Sequence, residues 1–429
     1  MSNKLHIFLK EIGQTDLLDS LSSIKKKTLL AQLKQLQKNW EGGPSPLQNQ
    51  GSFSPIHDPE IFGSHPLEKK GEEILASGKA GCVLLCGGLG TRLSFNGPKG
   101  CFPISCVEKK SLFQLLFEKV YFLQKKWKCE LPLALLVSSF NHQETVSFLK
   151  KHRFFGLKSS QVTILEQPNY PYFESSGNLI LSKTKTLLSS PNGNGGFYEA
   201  FCNSPLLKRW GKKGIEFVHL IAVDNPLANP CDTYLLGYMD AIQAEAGIKV
   251  IKRANTKEKV GLVVKKGSAI VVKDYMEISG DLEKRQSEYT LANIGQYCFR
   301  LPFLKRVALE KLKIPLHWVK KDHPVEKKNP LVWKGEKFVM DLLEFSKKTA
   351  VVVYPREEVF APLKNLKGED SVKVVQRALQ IRDQRIFEAI FQKKAPKTRF
   401  ELSTEFLYPT EASLKKWKEK MPPKRGYIE

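Results

Sequence analysis

The segment that decides the fold runs from Val83 to Gly100 and reads VLLCGGLGTRLSFNGPKG. Its apolar start predicts a strand buried on both faces, and the glycines that follow predict a loop whose backbone N–H groups can approach an anion. Arg92 and Lys99 add positive charge of the kind that binds phosphates. The segment is not a Walker loop, because GxxxxGK[ST] is absent, and it lacks the third glycine of the dinucleotide motif GxGxxG. On these residues alone, a strand-to-helix turn with incidental basic residues is the alternative.

Similar apolar runs recur between about residues 70 and 365, where they alternate with helical patterns. They lie at 82–86, 133–137, 162–165, 218–223, 260–264 and 351–354. Continuous apolar runs are typical of strands covered on both faces, so we expect an α/β fold with a Rossmann-like, mainly parallel sheet. Shorter strands and more turns at 260–303 predict that part of this sheet is mixed.

The two ends of the chain differ from this alternating region. Residues 1–42 have apolar residues at helical spacing and predict two or three amphipathic helices, whereas the proline- and glycine-rich residues 43–66 predict a linker or a meandering strap. One helix is expected at 371–392, followed by a small C-terminal lobe. We therefore expect an N-terminal helical lobe with its linker at 1–66, a catalytic domain at 67–370 and a C-terminal lobe at 371–429.

Composition and charge narrow the class of protein. The chain has 429 residues, 41% of them hydrophobic and 26% charged, which is ordinary for a globular protein. Its 68 Lys and Arg against 44 Asp and Glu give a formal charge of +24, which could attract nucleic acid, an anionic membrane or nucleotides. Because the basic residues are spread along the whole chain, we favour a basic solvated surface over a nucleic-acid interface.

Cysteine spacing and hydropathy indicate the compartment. The eight cysteines are scattered, no two have CxxC spacing, and no histidine cluster accompanies them. We therefore expect reduced thiols, without structural zinc or a disulfide framework. No run of 18 apolar residues occurs, and the N-terminus does not read as a secretory signal. A cytoplasmic protein without a membrane partner is expected.

Several segments resemble, in the same order, the motifs of the eukaryotic-type UDP-sugar pyrophosphorylases, which include UDP-N-acetylglucosamine and UDP-glucose pyrophosphorylases. GGLGTRL followed by PKG resembles the GGxGTRL…PKG signature of this family. The further matches lie at 138–141, 191–198, 214–225, 336–341 and 356–365. The resemblance covers about residues 70–375 and implies an α/β fold of the nucleotide-diphospho-sugar transferase type. It also implies the formation of a UDP-sugar and pyrophosphate from UTP and a sugar 1-phosphate.

The resemblance also assigns roles to individual residues. The cationic side chains expected to face the phosphates are Arg92, Lys99, Lys334 and Lys364. The expected nucleotide contacts are Gly87, Gly88, Gly90, Gln167, Gly193 and Asn194. The expected contacts to the hexose hydroxyls are Gly261, Glu277 and Asn293. The other reading of each side chain is an ordinary surface, loop or strand-edge residue.

Asp224 is the candidate metal ligand, because it follows the apolar run at 218–223. Ligands of α/β sheets bind at the carboxyl ends of strands, and a carboxylate there can hold Mg²⁺ (or Mn²⁺) against phosphate oxygens. The alternative is that Asp224 caps the next helix. The implied reaction needs no general base, since the attacking phosphate oxygen is already anionic. The site must instead align two polyanions and neutralise the charge that develops between them.

The sequence leaves three readings of the function. The favoured one is a uridylyltransferase acting on N-acetylglucosamine 1-phosphate, with glucose 1-phosphate as the alternative sugar. The second is a non-enzymatic, basic nucleic-acid-binding protein. The third is a degenerate homologue without turnover, against which the presence of Arg92, Lys99 and Asp224 argues. For the favoured reading we expect UTP and a sugar 1-phosphate as partners, no nucleic acid, and either a monomer or a homodimer.

Overall fold

A computed structural model describes residues 3–18, 23–38, 40, 42–44, 52–322, 331–419 and 426–429. The chain divides into two compact units, each built from three segments. The first unit comprises Met1–Gln50, Gln167–Glu199 and Lys313–Asp341, and the second comprises Gly51–Glu166, Ala200–Leu312 and Leu342–Glu429. The boundaries between these units differ from the domain boundaries predicted after residues 66 and 370. The three predicted domains stay a prediction.

The described residues form helices in both units. The α-helices are α1 (Asn3–Glu11), α2 (Ser23–Lys38), α3 (His65–Ala76), α4 (Leu112–Trp127), α5 (His142–Lys151), α6 (Gly196–Cys202), α7 (Pro205–Lys212), α8 (Thr233–Ala241), α9 (Asp281–Lys284), α10 (Leu301–Leu309), α11 (Arg356–Val359), α12 (Val372–Phe391) and α13 (Glu411–Glu419). The predicted helix at 371–392 is therefore confirmed as α12. None of the described helices is both long and apolar enough to span a bilayer.

The described strands form three sheets. They are β1 (Glu60–Ile61), β2 (Ala80–Leu85), β3 (Leu133–Val137), β4 (Val162–Glu166), β5 (Asn169–Phe173), β6 (Ser189–Pro191), β7 (Phe217–Ala222), β8 (Ala246–Lys252), β9 (Leu262–Lys266), β10 (Ala269–Lys273), β11 (Leu291–Arg300), β12 (His317–Lys321), β13 (Val332–Glu336), β14 (Thr349–Val353), β15 (Phe400–Leu402) and β16 (Gly426–Ile428). The six predicted apolar runs all coincide with strands, within a few residues at their ends.

The main sheet of the second unit has the strand order β1-β14-β8-β11-β7-β2-β3-β4. The β1–β14, β14–β8, β7–β2, β2–β3 and β3–β4 pairs are parallel, which confirms the predicted mainly parallel α/β fold. Strand β11 runs antiparallel to both of its neighbours, and the antiparallel β9–β10 hairpin joins it. The mixed character predicted for residues 260–303 is confirmed by these strands.

Burial explains why the central strands have continuous apolar sequences. Every residue of β2 is buried, because helices cover the sheet and leave no solvent-exposed face there. The main core of the second unit includes side chains from the sheet and from the helices α3, α4, α8 and α12, for example Leu84, Leu75, Phe117, Leu235 and Val375. Apolar side chains of the C-terminal segment form a smaller core against α12, in which the Phe406 and Trp417 rings stack 3.8 Å apart.

The segment predicted as a linker at 43–66 contributes to the second unit. Phe53 is buried in a small core beside the β9–β10 hairpin, and Ser54 bridges Lys265. Strand β1 adds an edge to the main sheet by pairing with β14. Of the two predicted alternatives, a linker and a meandering strap, the segment is the strap, because it packs and pairs with the second unit. Residues 45–51 of the segment lie outside the described residues.

The first unit is built around the antiparallel sheet β12-β13-β5-β6. Its core joins apolar side chains of α1 and α2, such as Leu5 and Leu33, to Tyr170 and Phe173 of β5. The amphipathic helices predicted for residues 1–42 are thus confirmed: their apolar faces pack against the side chains of the sheet.

A histidine is buried at the centre of the main sheet. His219 on β7 is fully buried, and its Nδ1 accepts a hydrogen bond of 3.0 Å from the backbone N–H of Cys231. Burial, together with the nearby positive charge of Lys249, lowers the pKa of His219 to about 3. The histidine therefore stays neutral in the folded protein near neutral pH.

This buried histidine should make stability depend on pH. The unfolded chain binds a proton at His219 below about pH 6.5 whereas the folded chain does not, so the free energy of unfolding falls as the pH falls from there towards 3. Between pH 7 and pH 5, we expect His219 to account for a loss of about 2 kcal/mol. His219→Gln should remove this part of the loss, as measured by urea unfolding at both pH values. His6→Gln, at an exposed histidine, should keep the wild-type difference; a variant His219→Gln that also keeps it would contradict the expectation.

Candidate active site

The glycine-rich segment forms a folded-back loop after β2. The backbone N–H of Gly90 donates to the Gly97 carbonyl at 2.9 Å, and a bridge joins Leu89 to Pro98. The backbone N–H of Lys99 then donates to the Gly88 carbonyl at 3.1 Å. The loop thus returns to the end of β2 and brings Lys99 beside the paired glycines.

Asn141, just before α5, fastens this loop. Its Nδ2 donates to the carbonyl oxygens of Cys86 at 2.8 Å and Gly88 at 3.3 Å, and its Oδ1 accepts from the backbone N–H of Ser138 at 2.8 Å. No sequence pattern assigns Asn141 a role, although it lies in a matched segment that follows an apolar strand. Its side chain is a buried link between the carboxyl ends of β2 and β3.

The pairing of β2 with β7 brings Lys99 and Asp224 together. The two strands are parallel, and Leu85, the last residue of β2, is level with Ala222 at the end of β7. The Lys99 Nζ lies 3.4 Å from the Asp224 Oδ2, and the two side chains are only 11% and 24% exposed. A half-buried ion pair of this kind is screened less by solvent than a surface pair. The structure thus brings Lys99 and Asp224 together, while their chemical roles stay predictions.

A third segment, at residues 359–364, joins this pair. The backbone N–H of Leu363 donates to the Asp224 carbonyl at 2.7 Å, and the Leu363 carbonyl accepts from the Lys99 Nζ at 3.4 Å. Lys364 follows directly, and its Nζ lies 3.1 Å from the Asp370 carboxylate. The structure thus brings the backbone at Lys364 next to the Lys99–Asp224 pair.

Asn225 holds the 359–364 segment in place. Its Nδ2 donates to the Val359 carbonyl at 2.7 Å, and its Oδ1 accepts from the Ala361 backbone N–H at 3.1 Å. Gln296 donates to the same Val359 carbonyl at 3.0 Å. The role of Asn225 is not visible in the sequence, because the segment it binds is more than 130 residues away. The one available signal was an amide side chain directly after the candidate metal ligand.

The predicted residues of the glycine loop differ in exposure. Arg92 lies in the 3-10 turn Thr91–Leu93, is exposed, and forms no ion pair with any residue that the structure describes. A β-carbon added to Gly88 would meet no atom within 4 Å, so packing does not explain the glycine there. Open space at this backbone is what the close approach of an anion requires. Gly87 and Gly90 lie in the same loop, and their predicted contacts are untested.

The donor set around Asp224 is compatible with one kind of metal. Within the described ranges, no group of three or more His, Cys, Asp or Glu side chains could hold a metal ion. Mg²⁺ is commonly bound by one or two carboxylates, with water and substrate phosphates as its other ligands. The single carboxylate of Asp224, next to a lysine and an open glycine loop, fits a magnesium ion shared with phosphates. It does not fit a metal that needs a complete cage of protein ligands.

The predicted sugar contacts are partly brought together. The backbone N–H of Asn293 on β11 donates to the Gly261 carbonyl at 2.9 Å, and the Asn293 Oδ1 accepts from the Tyr297 hydroxyl at 2.9 Å. Glu277 lies in the 3-10 turn Tyr275–Glu277 and is half-buried. Gly261 and Asn293 therefore form a local pair, and the contact of all three residues with a hexose stays a prediction.

Gln167, Gly193 and Asn194 belong to the first unit. A β-carbon added to Gly196 would lie 3.0 Å from the Cβ of the buried Gln167, so the loop at 193–196 packs against this glutamine. The Asn194 Oδ1 accepts from the Val339 backbone N–H at 3.0 Å. The three predicted nucleotide contacts therefore meet in one part of this unit.

The lysines at 334 and 337 differ in their surroundings. Lys334 on β13 pairs with Glu336 at 2.5 Å and is partly exposed, whereas the Lys337 ammonium is buried in a hydrogen-bonded ion pair with Glu199. The backbone of Lys337 accepts from Gly195 and donates to Asn192, so it is joined to both ends of the loop at 193–196. Lys337 and Glu199 are supporting residues that the sequence did not reveal, since they are 138 residues apart.

An open, mainly parallel sheet with a glycine-rich loop and a Lys–Asp pair at its strand ends places the chain among the open α/β proteins, whose ligands bind at the carboxyl ends of the strands. Residues 45–417 match the model of the UTP–glucose-1-phosphate uridylyltransferase family, and the chain belongs to this family. UDP-N-acetylglucosamine diphosphorylase 2 of Arabidopsis thaliana is 34% identical over 323 residues, which cover 70% of this chain and 64% of the plant protein. The chain thus spans slightly less than two thirds of the length of this relative.

Solved structures agree with the fold. A crystal structure from Entamoeba histolytica, designated a UDP-N-acetylglucosamine pyrophosphorylase, has a TM-score of 0.75 at 27% identity and covers 86% of this chain and 98% of its own. The uridine diphosphate N-acetylglucosamine pyrophosphorylase of Trypanosoma brucei, solved with an inhibitor, has a TM-score of 0.79 at 21% identity and covers 100% of this chain and 99% of its own. The predicted family and fold class are confirmed by these likenesses.

Gly193 should be sensitive to substitution for two separable reasons. Its φ of +87° is costly for a residue with a side chain, and a β-carbon would lie 2.4 Å from the Lys337 carbonyl oxygen. Gly177 has a similar φ of +89° but no atom within 4 Å of an added β-carbon, so it is a matched control in the same unit. We expect Gly177→Ala to lower the free energy of unfolding by about 1 kcal/mol and Gly193→Ala by about 3 kcal/mol. Urea unfolding measures both values. Equal losses in the two variants would contradict the expectation and show that the backbone of Lys337 moves away from the added methyl group.

Proposed function

We propose that this protein is a uridylyltransferase that forms a UDP-sugar and pyrophosphate from UTP and a sugar 1-phosphate. The observation that carries the proposal is the Lys99–Asp224 pair at the carboxyl ends of β2 and β7, beside the open backbone of Gly88. Family membership supports the same reaction class. We take N-acetylglucosamine 1-phosphate as the preferred sugar, because relatives with that activity in their names match most of this chain.

The reaction determines what the site must supply. An oxygen of the sugar 1-phosphate forms a bond to the α-phosphorus of UTP, the bond to the β-phosphate oxygen breaks, and pyrophosphate leaves. No proton has to be removed from the attacking oxygen, which is anionic near neutral pH. Catalysis therefore consists of holding two polyanions in line and stabilising the charge that shifts onto the leaving pyrophosphate.

Lys99 suits the second of these tasks. Its ammonium is mostly shielded from water, and its one described carboxylate partner is 3.4 Å away, a long contact for an ion pair. A phosphate oxygen that approached over Gly88 would find a cation whose charge is only partly neutralised by the protein. Because the surroundings are partly desolvated, the attraction is stronger than that of a surface lysine. Arg92, exposed in the same loop, would supply a second cation.

Asp224 is the residue that would hold Mg²⁺. When bound, the ion supplies positive charge to phosphate oxygens and helps to orient them. The backbone of Asp224 is fixed by the hydrogen bond from Leu363, so its carboxylate starts from a defined position. Lys364 and Lys334 are proposed to bind phosphate by exchanging their present partners, Asp370 and Glu336, for substrate oxygens.

The remaining predicted residues complete the proposal. Gln167, Gly193 and Asn194 are proposed to contact the uridine, since an amide can both donate to and accept from the uracil edge. Gly261, Glu277 and Asn293 are proposed to contact the sugar, because polar ligands need directional hydrogen bonds of this kind. We place the activity in the cytoplasm, with UTP and the sugar 1-phosphate as the partners.

A coupled assay tests the function directly. Purified protein with UTP and Mg²⁺ should release pyrophosphate when N-acetylglucosamine 1-phosphate is added, and it should do so more slowly with glucose 1-phosphate, which is the second candidate because of the family description. A reversed order of rates would replace the preferred sugar and keep the reaction. Release with neither sugar would refute the enzymatic proposal.

Substitutions at the central ion pair should separate chemistry from stability. Lys99→Met and Asp224→Asn should each lower kcat/KM by about 100-fold or more, because each removes charge stabilisation near the phosphates. Lys213→Met removes a surface lysine that pairs with Glu130 at 3.0 Å and should keep near-wild-type rates. Steady-state pyrophosphate release measures all three, with circular dichroism to confirm folding. Similar rates for Lys99→Met and Lys213→Met would show that the loop has no phosphate-binding role.

A further inference from the structure

A lysine is buried beneath the turn that carries Asp224. Lys119 lies in the middle of α4 and is 1% exposed. Its Nζ donates two hydrogen bonds of 2.8 Å, one to the Pro226 carbonyl and one to the Ala228 carbonyl. In the part of the chain that the structure describes, no carboxylate forms a hydrogen bond or ion pair with this ammonium.

Such a position is unfavourable for a cation. Burial lowers the pKa of Lys119 well below its usual value. The positive charges of Arg382 and Lys249 lower it further, and the negative charge of Asp383 offsets only part of this. An isolated buried charge is strongly disfavoured unless hydrogen bonds compensate it. An apolar side chain would fill the same volume without that penalty. The lysine is therefore better explained by what it binds than by the space it fills.

The turn that Lys119 binds runs from Asp224 to Ala228, and three of its residues define its position in the site. Asp224 is at its start, Asn225 ties it to the 359–364 segment, and the backbone N–H of Ala228 closes it by donating to the Asn225 carbonyl at 3.0 Å. The Pro226 and Ala228 carbonyls point into the core, where unpaired carbonyls would cost about 1–3 kcal/mol each. Lys119 satisfies both carbonyls at once.

We propose that Lys119 is a positioning residue, which holds the turn Asp224–Ala228 from within the core and thereby fixes the direction of the Asp224 carboxylate. This inference rests on the proposed function for its consequence, because the aim of Asp224 matters when that carboxylate binds a divalent cation. Its structural part, the restraint of the turn, stands independently of any activity. Lys119 itself touches neither a substrate nor the phosphates.

Lysine chemistry fits this task. The ammonium is a compact group with three donors on a flexible four-carbon stem, so it can reach two carbonyls from a helix below them. A methionine of similar length keeps the packing and removes both donors. An arginine keeps the charge and several donors, and two neighbouring carbonyls suit its forked geometry.

The first test uses hydrogen exchange, which does not require turnover. In Lys119→Met, the backbone amides of Asn225, Leu227 and Ala228 should exchange at least 10-fold faster than in the wild-type protein, while amides of β2 and β7 keep their rates. Leu115→Ala, which truncates another buried side chain of α4, is the control for general loss of packing. Unchanged exchange in Lys119→Met, or the same local increase in Leu115→Ala, would overturn the proposal.

The second test measures the consequence for the metal. In the pyrophosphate assay, Lys119→Met should raise the Mg²⁺ concentration for half-maximal activity at least 10-fold with little change in the KM for the sugar 1-phosphate. Direct Mn²⁺ titration followed by electron paramagnetic resonance should show the same weakening. Lys119→Arg should stay within about 3-fold of the wild type, because it retains a cationic donor. If Lys119→Met does not fold, Lys119→Arg still tests the proposal. A Mg²⁺ requirement at least 10-fold above that of the wild type in Lys119→Arg would contradict it.

Failures of the two proposals are distinguishable. A wild-type protein without pyrophosphate release would refute the uridylyltransferase and leave the exchange comparison of Lys119→Met intact. An active enzyme whose Lys119→Met variant has wild-type exchange and wild-type metal requirement would refute the positioning role alone.

Discussion

The parallel, level pairing of β2 and β7 is the constraint on which the candidate site depends. Because Leu85 is opposite Ala222, the glycine loop and Asp224 leave the sheet at the same edge. Neither Lys99 nor Asp224 would meet the other if one strand were shifted or reversed. The backbone hydrogen bonds between two buried strands thus set how far apart the backbones of Lys99 and Asp224 lie. The two side chains are long enough to bridge the remaining distance.

Loops at this edge are held by side chains that bond to backbone atoms. Asn141 binds carbonyl groups before and within the glycine loop, and Asn225 binds the 359–364 segment. Lys119 binds carbonyl groups of the turn Asp224–Ala228. Each of these bonds occupies a backbone group that has no partner in a helix or strand, and unpaired buried groups are costly. The irregular segments around the site are therefore ordered without regular secondary structure. For the proposed transfer, such restraints would hold the charged groups of the site in place before the substrates bind.

Local patterns in the sequence predicted much of the fold and part of the site. Continuous apolar runs identified the strands, and the position of Asp224 directly after such a run placed it at the carboxyl end of a strand, where the structure has it. The partnerships of Asn225 with Val359, of Lys337 with Glu199 and of Lys119 with Pro226 could not be read in the same way. They join residues more than 100 positions apart. Helical spacing does place Lys119 among apolar side chains such as Leu115, Leu116 and Leu123, but that pattern does not show which carbonyls the lysine binds. The strap within residues 43–66 is a further case. Phe53 packs beside the β9–β10 hairpin and β1 pairs with β14, and both partners come much later in the chain.

The state of the native thiols has a practical consequence. Burial raises the pKa of Cys101 and Cys202 to about 12, that of Cys129 to about 11 and that of Cys106 above its usual value. The other four thiols are fully or almost fully buried: Cys82, Cys86, Cys231 and Cys298. Since only the thiolate reacts with maleimides and iodoacetamides, these sulfurs are poor targets at neutral pH. A cysteine introduced on an exposed helix of each unit would react with a fluorophore much faster than the native thiols. The natural sequence is thus suited to spectroscopic labelling without first removing its own cysteines.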